Sequence, residues 1–519
     1  VQEYLPIAER GYLSMTDGAS FSYDGNVTLN YNTLVNEKHI IYAGAGLEVT
    51  QNDNNSHGFI MTGFPDDRYS DPAFAIQYKK ETKPSSSESK SRAIGFFANG
   101  NYSYDDRYFA DVSVRIDGSS KFGADKKYAP FWSAGAGWNV HNEKFFKHTK
   151  ISMLKLRYSY GVTGNQEFSA YQAKTMFQFN TDRLYNSGIS AALMGYGNPD
   201  LEWQNQYQSN YGFDFGYAKD RIRLQFNYYQ KKTEGMLTSV SVAPSLGLPS
   251  NTFTSNLGKI QNKGVEVNLN AVLIRDQGKD FEWSVMLQAA HNKNKIMEIS
   301  TALKNINEKN NQDKTTPAAV YEEGESMSAI KAVPSLGIDP TTGQELFMKK
   351  DGTITYTWDA TDKVICGDSE PKVFGNVGTN LYWKGWNLNM VFKYDLGADY
   401  YNSTLAERVE GANPRYNADR RVLNNRWKEP GQHALYKNIK EYTTTYISSR
   451  FVQKENTLQL TSLSLSYDLN REWIRKFGLN TMRLSFYMND VFRASTVKNE
   501  RGLDYPFQRS FVFGLNIGF

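Results

Sequence analysis

The chain has a single cysteine, Cys366, in 519 residues. An internal disulfide is therefore excluded, and a buried or loop thiol is the expectation. No apolar run approaches the roughly 20 residues that a membrane-crossing helix needs, so helical spanning is excluded. An excess of charge is also missing. Lys and Arg number 59 and Asp and Glu 55, for a net +4, a balance that gives no electrostatic case for nucleic acid. The six histidines fall at no HExxH or other ligand spacing, and no Ser/His/Asp constellation assembles. No catalytic site, metal or cofactor is expected. Apolar content is low at 40%, yet 14% of residues are aromatic, and the mean hydropathy is −0.59. A soluble core of this size would draw on more Leu, Ile and Val. A membrane barrel needs apolar residues on only one face of each strand, with aromatic girdles.

What is present is alternation. The stretch "SNYGFDFGYAKDRIRLQFNYYQKK" (209–232) places Tyr211, Phe213, Phe215 and Tyr217 on one face of a strand. After a short turn, Ile222, Leu224, Phe226 and Tyr228 fall on the same face of the next. Asn210, Gly212, Asp214, Arg223, Gln225 and Asn227 lie between them. The same period of two recurs from Val27, Leu29 and Tyr31 to Phe511, Phe513, Leu515, Ile517 and Phe519, which amounts to about 15 strands. A phase slip between Leu460 and Leu463 predicts a β-bulge.

The connections alternate short and long. Turns at 105–107, 218–220 and 384–385 are tight. Long polar stretches are expected at 51–90, 162–200, 233–257, 298–372, 397–449 and 492–507. An outer-membrane barrel has short periplasmic turns and longer extracellular loops, and that sorting puts the aromatic stripe against lipid. The expected fold is all-β, a transmembrane antiparallel β-barrel. The Ser-rich "KKETKPSSSESKS" (79–91) and "NINEKNNQDKTT" (305–316) are expected to be solvated loop tips. An odd strand count, a first strand running toward the periplasm, and the lack of an initiator Met or secretory signal lead to a further expectation. The chain would be the C-terminal portion, 1–519, of a larger barrel, with no plug domain in it.

Several segments resemble the SusC/RagA-type, TonB-linked outer-membrane transporters of Bacteroidota. They are "VRIDGSSKFG" (114–123), "PFWSAGAGWNV" (130–140), "LKLRYSYGVTGNQ" (154–166), "NPDLEWQNQYQSNYGFDFG" (198–216), "NLGKIQNKGVEV" (256–267), "GIDPTTGQELF" (337–347) and "VQKENTLQLTSLSLSYDL" (452–469). The resemblance covers most of the chain. It implies a barrel of about 22 strands enclosing a plug, and a TonB-contacting segment ahead of that plug. It also implies a SusD-like surface lipoprotein as lid, and often a dimer of transporter–lid pairs.

Individual residues carry weaker readings. The last strand, "RSFVFGLNIGF", places Phe511, Phe513, Leu515, Ile517 and Phe519 in the pattern of a barrel-assembly signal. The face opposite the stripe holds Arg115, Asp117, Lys155, Arg157, Asp214, Arg223, Glu266 and Arg483. These are expected to line a wet lumen and meet a plug, with Arg and Asp pairing across strands. Tyr185, Tyr196, Trp358, Tyr400, Tyr401 and Tyr416 are loop aromatics able to stack on a sugar or peptide ligand. "GSSKFG" (118–123) lacks the Lys-Ser/Thr of a phosphate-binding loop. The "GAG" runs at 44–46 and 135–137 are read as small residues where the wall bends or approaches a plug. Asp339 and Asp351 are read as turn residues, too far apart for a calcium loop.

Three functions follow. The first is TonB-dependent import of an oligosaccharide or peptide across the outer membrane, without covalent chemistry. The second is a passive porin-like or structural barrel. The third is a soluble glycan-binding β-protein.

Overall fold

The structure is a computed structural model. It describes every residue except 1–4, 67, 69–70, 124–125, 147–149, 166–169, 186–187, 242–251, 257, 300–303, 305–306, 309, 316, 414, 417, 441–442 and 499–507, and omits the side chains at 180–187, 237–257 and 471. Fifteen strands follow one another in a single antiparallel path. They are β1 Tyr12–Val35, β2 His39–Thr62, β3 Ser85–Tyr104, β4 Tyr108–Ser119 and β5 Tyr128–Asn139. Next come β6 Ile151–Asn165, β7 Gln204–Tyr217, β8 Ile222–Glu234, β9 Lys259–Asp276 and β10 Phe281–Glu298. The last are β11 Val373–Trp383, β12 Trp386–Tyr401, β13 Val452–Asp468, β14 Thr481–Ser495 and β15 Phe511–Gly518. Each pairs with its neighbours in sequence. Among the described residues, β1 and β15 have one partner each on that path.

The register aligns the apolar stripe across the whole wall. Val27 faces Leu47, Leu47 faces Phe96, Phe96 faces Ile116 and Phe213 faces Phe226. The stripe continues through Leu287–Val377, Val377–Phe392 and Phe486–Phe513. Among the described residues much of it is uncovered: Leu29 is 76% exposed, Val112 52% and Phe513 75%. In water such a face would be a core. Uncovered and continuous over fifteen strands, it is a lipid-facing surface.

The slip at 460–463 is a bulge. Leu460 faces Phe392 and Leu463 faces Met390, with Thr461 as the extra residue. Its hydroxyl donates to the Val391 carbonyl at 2.9 Å. The extra residue is what keeps Leu460 and Leu463 on one face.

One end of the wall is closed by tight turns. Asn36 and Glu37, Asp105 and Asp106, 218–220, and Lys384 with Gly385 all adopt positive φ. This is the left-handed geometry that matches the twist of a short hairpin. The opposite end differs from the loop ranges expected of it. Strand pairing continues through 51–62 and 85–90, so the first long connection is far shorter than 51–90. Ser85–Ser91, part of the stretch 79–91 expected from composition to be a solvated loop tip, is the upper part of β3 and pairs with residues 52–58. Ladder hydrogen bonds need no apolar face, and Ser fits a strand that is wet on both sides. At about 3.3 Å per residue, the 24 residues of β1 and of β2 extend well beyond the bilayer.

Candidate functional site

The inner face is built from pairs that cross strands. On β4, Arg115 Nε donates to both Asp117 oxygens at 2.6 and 2.7 Å, and Nη2 donates to Glu48 on β2 at 2.8 Å. The intervening residue on β3 is Gly95, paired with both Glu48 and Asp117. A Cβ there would lie 2.5 Å from Arg115 Nη2, so glycine is what lets the guanidinium reach across. The device recurs. Arg157 on β6 donates to Asp214 at 3.0 and 2.8 Å and to Asn227 on β8 at 3.1 Å. It crosses Gly212, whose Cβ would sit 2.7 Å from the Asn227 amide oxygen. Lys155 Nζ stands 4.0 Å over the Phe109 ring. Nearer the turns, Arg223 meets Asp220 at 2.7 Å and Arg483 meets Asp468 at 2.6 and 2.8 Å. Glu266 is exposed on the same face, opposite Asn227. Gly46 and Gly137 seat the Phe97 and Phe109 rings of a neighbouring strand.

Glu48, Asn227, Asp220 and Asp468 complete these pairs. Alternation marks the face of Glu48 and Asn227. What it does not give is which cation reaches them.

Above the strands, two loops fold into one body. Strand Ala329–Ala332 pairs with Val364–Asp368, and Ser335–Ile338 with Glu345–Met348. Val333 bridges to Ser448 of the later loop. The interior holds Val333, Val409, Ile447 and Phe451, each at most 1% exposed. Arg450 lies among two carboxylates, at 2.8 Å from Glu345 and at 2.5 and 2.8 Å from Glu410. Burial alone would lower its pKa, but the two carboxylates hold it above the ordinary value. Arg426 is buried and spends its guanidinium on backbone carbonyls of Val422, Val409, Glu410 and Lys437. Burial pulls its pKa down. Asp339 folds the "DPTTG" turn, accepting from Thr341 N at 2.8 Å, Thr342 Oγ1 at 3.1 Å and Tyr356 Oη at 2.5 Å. Cys366 sits half-buried against the Ala332 carbonyl at 3.5 Å.

The loop aromatics do not converge on one place in the described structure. Trp358 is committed internally: its Nε1 donates to Ile447 O at 2.9 Å and its ring stacks on Tyr446 at 5.1 Å. Tyr401 packs edge-on against Phe451 at 6.0 Å. Tyr400 lies beside it on β12, partly buried. Tyr196 and Tyr416 are open, at 46% and 75% exposure. The side chain of Tyr185 lies outside the described residues. Three histidines hold structure: His39 meets Tyr102 Oη at 2.9 Å, His141 the Leu154 carbonyl at 3.1 Å, and His291 the Lys372 carbonyl at 2.6 Å.

Residues 4–491 match the family model described as "TonB dependent receptor-like, beta-barrel". The chain belongs to that family. This receptor chain is 28% identical over 486 residues to TonB-dependent receptor P3 of Formosa agariphila, covering 84% of the chain and 46% of that receptor. It is 23% identical over 535 residues to TonB-dependent receptor SusC of Bacteroides thetaiotaomicron, covering 96% of the chain and 51% of SusC. The chain therefore spans about half the length of the curated relatives it matches. Among solved structures, the RagAB peptide transporter superposes with a TM-score of 0.83 at 22% identity, over 94% of the chain and 53% of that chain. The chain is thus a TonB-dependent receptor-like β-barrel protein of the outer membrane, similar in fold to RagAB, with the lipid face that the stripe defines.

Proposed function

We propose that this chain forms wall and mouth of a TonB-dependent importer that carries a large nutrient, an oligosaccharide or peptide, across the outer membrane. The observation that most supports this is the pairing of a fixed-charge inner wall with a folded loop body at its mouth. Cations and carboxylates held in place keep the inner surface wetted and able to hydrogen-bond a polar solute. Arg115, Asp117, Lys155, Arg157, Asp214, Arg223, Glu266 and Arg483 act there by contact, with a plug or with cargo, and perform no covalent chemistry. Tyr196 and Tyr416 are open enough to stack on a ligand, whereas Trp358 supports the loop body. A SusD-like surface lipoprotein caps the mouth, and transporter–lid pairs assemble as dimers in the manner the resemblance implies. Phe511, Phe513, Leu515, Ile517 and Phe519 act as the barrel-assembly signal.

The test is uptake by cells carrying the complete native protein. Labelled oligosaccharide and peptide mixtures are offered with and without a working TonB system. Uptake of one class that stops without TonB supports the proposal and identifies the class. Uptake that continues without TonB would assign a passive channel.

A further inference from the structure

The outer face of the wall carries a cavity of about 510 Å³ at the upper end of the lipid stripe. Its floor is one row of the sheet: Val49 faces Ile94, Ile94 faces Gly118 and Gly118 faces Tyr128. One step below, Leu47, Phe96 and Ile116 belong to the lipid-facing stripe. One step above, the same face turns charged, with Arg92 paired to Gln51 at 3.0 Å and Lys90 to Asp53 at 3.0 Å. The cavity therefore lies where the outward surface changes from hydrocarbon to headgroup.

Its walls divide in the same way. Tyr128 is 65% exposed and its ring lies across Gly118, where any Cβ would collide with it. An aromatic ring at this level is the usual girdle residue. Above it, Arg92, Lys127 and Lys174 line the cavity, and no acidic side chain does so among the described residues. The overhang that carries Lys174 is fixed. Tyr171 Oη accepts from the Lys90 amide at 2.9 Å, and Asn198 N donates to Gln172 O at 3.0 Å. Phe122, which also lines the cavity, stacks on Trp203 at 4.3 Å. The nearby carboxylate of Glu202 is met by Lys126 at 3.4 Å.

We propose that this cavity binds the phosphorylated headgroup of an outer-leaflet lipid, with an acyl chain laid down the stripe below. Three cationic residues line one cavity, and its apolar floor continues into the stripe below. Both halves of such a lipid are matched, whereas free phosphate would use only the upper half. Basic pockets at membrane level recognise anionic headgroups by this combination.

The complete transporter, purified in mild detergent, is titrated with diphosphorylated lipid A and the bound lipid is counted by native mass spectrometry. The expected result is one retained lipid, bound about tenfold more weakly when Arg92, Lys127 and Lys174 are all replaced by Gln, since charge-assisted contacts of this kind are worth about that factor or more. Lys174→Gln, on the overhang and outside the strand ladder, should weaken binding several-fold if the triple variant fails to assemble. Equal binding by wild type and both variants would overturn the proposal. So would equal binding of a dephosphorylated lipid A. Displacement of the lipid by millimolar inorganic phosphate would assign the site to free phosphate and overturn the lipid reading.

Discussion

Phe226 and Gln225 are adjacent on β8 and face opposite ways. Phe226 stacks on Phe213 with ring centroids 5.3 Å apart, on the lipid stripe. Gln225 lies beside Asp214 on the inner face. Phe226→Arg should cost about 2–4 kcal/mol of barrel stability near mid-membrane, and Gln225→Arg much less. Urea titration of the refolded complete barrel into lipid checks this, and equal costs would refute the face assignment. A second residue-scale expectation concerns pH. Glu143, in a turn at the tight end, accepts from Trp138 Nε1 at 3.0 Å and Tyr108 Oη at 2.9 Å, with Arg107 at 3.4 Å. These partners, the Trp138 bond first, hold its pKa below the ordinary 4.5. A carboxyl depressed by folding contributes stability that is complete above its ordinary pKa and lost as pH falls through the lowered one. Wild-type stability should therefore fall as the pH drops below the ordinary 4.5 and through the lowered value, and Glu143→Gln should flatten part of that fall.

At the scale of elements, the lipid-facing strands were legible because period-two alternation is the imprint of a strand with two different surroundings. Even the bulge at Thr461 was readable, since an extra residue shifts the phase of everything beyond it. The upper parts of β1, β2 and β3 were not readable, because both of their faces are wet. Ser85–Ser91 has no alternation to detect, only backbone pairing. The loop body was hidden for a related reason. Glu345, Glu410 and Arg450 look like solvated loop residues in sequence, but their side chains are 4%, 0% and 12% exposed. Removing one partner leaves buried charge behind. Arg450→Met should destabilise the loop body by about 3–5 kcal/mol, with the strands intact. Limited proteolysis on whole cells should then cut within 333–449 in the variant and spare the wild type. Unchanged resistance would show that the three groups are solvated.

At the scale of the molecule, the wall has one dry face and one wet face, and the two are separated by a single layer of backbone. The inner surface follows from that layer. Arg115 and Arg157 can pair across a strand only because Gly95 and Gly212 leave the space. The pairing rule was visible as alternating charge. The glycine that permits each crossing is visible only once the register is known. The loop aromatics show the converse, since Trp358 and Tyr196 look alike in sequence and differ in what surrounds them. The face assignment underlies the import proposal and the lipid site alike. Its most direct measurement is a cysteine scan of residues 222–229 in a Cys366→Ser background of the complete protein, in native outer membranes. Arg223, Gln225 and Asn227 positions should react with a water-soluble maleimide, while Leu224, Phe226 and Tyr228 positions react only with a lipid-soluble one. The reverse pattern, or uniform reactivity along the strand, would contradict the account.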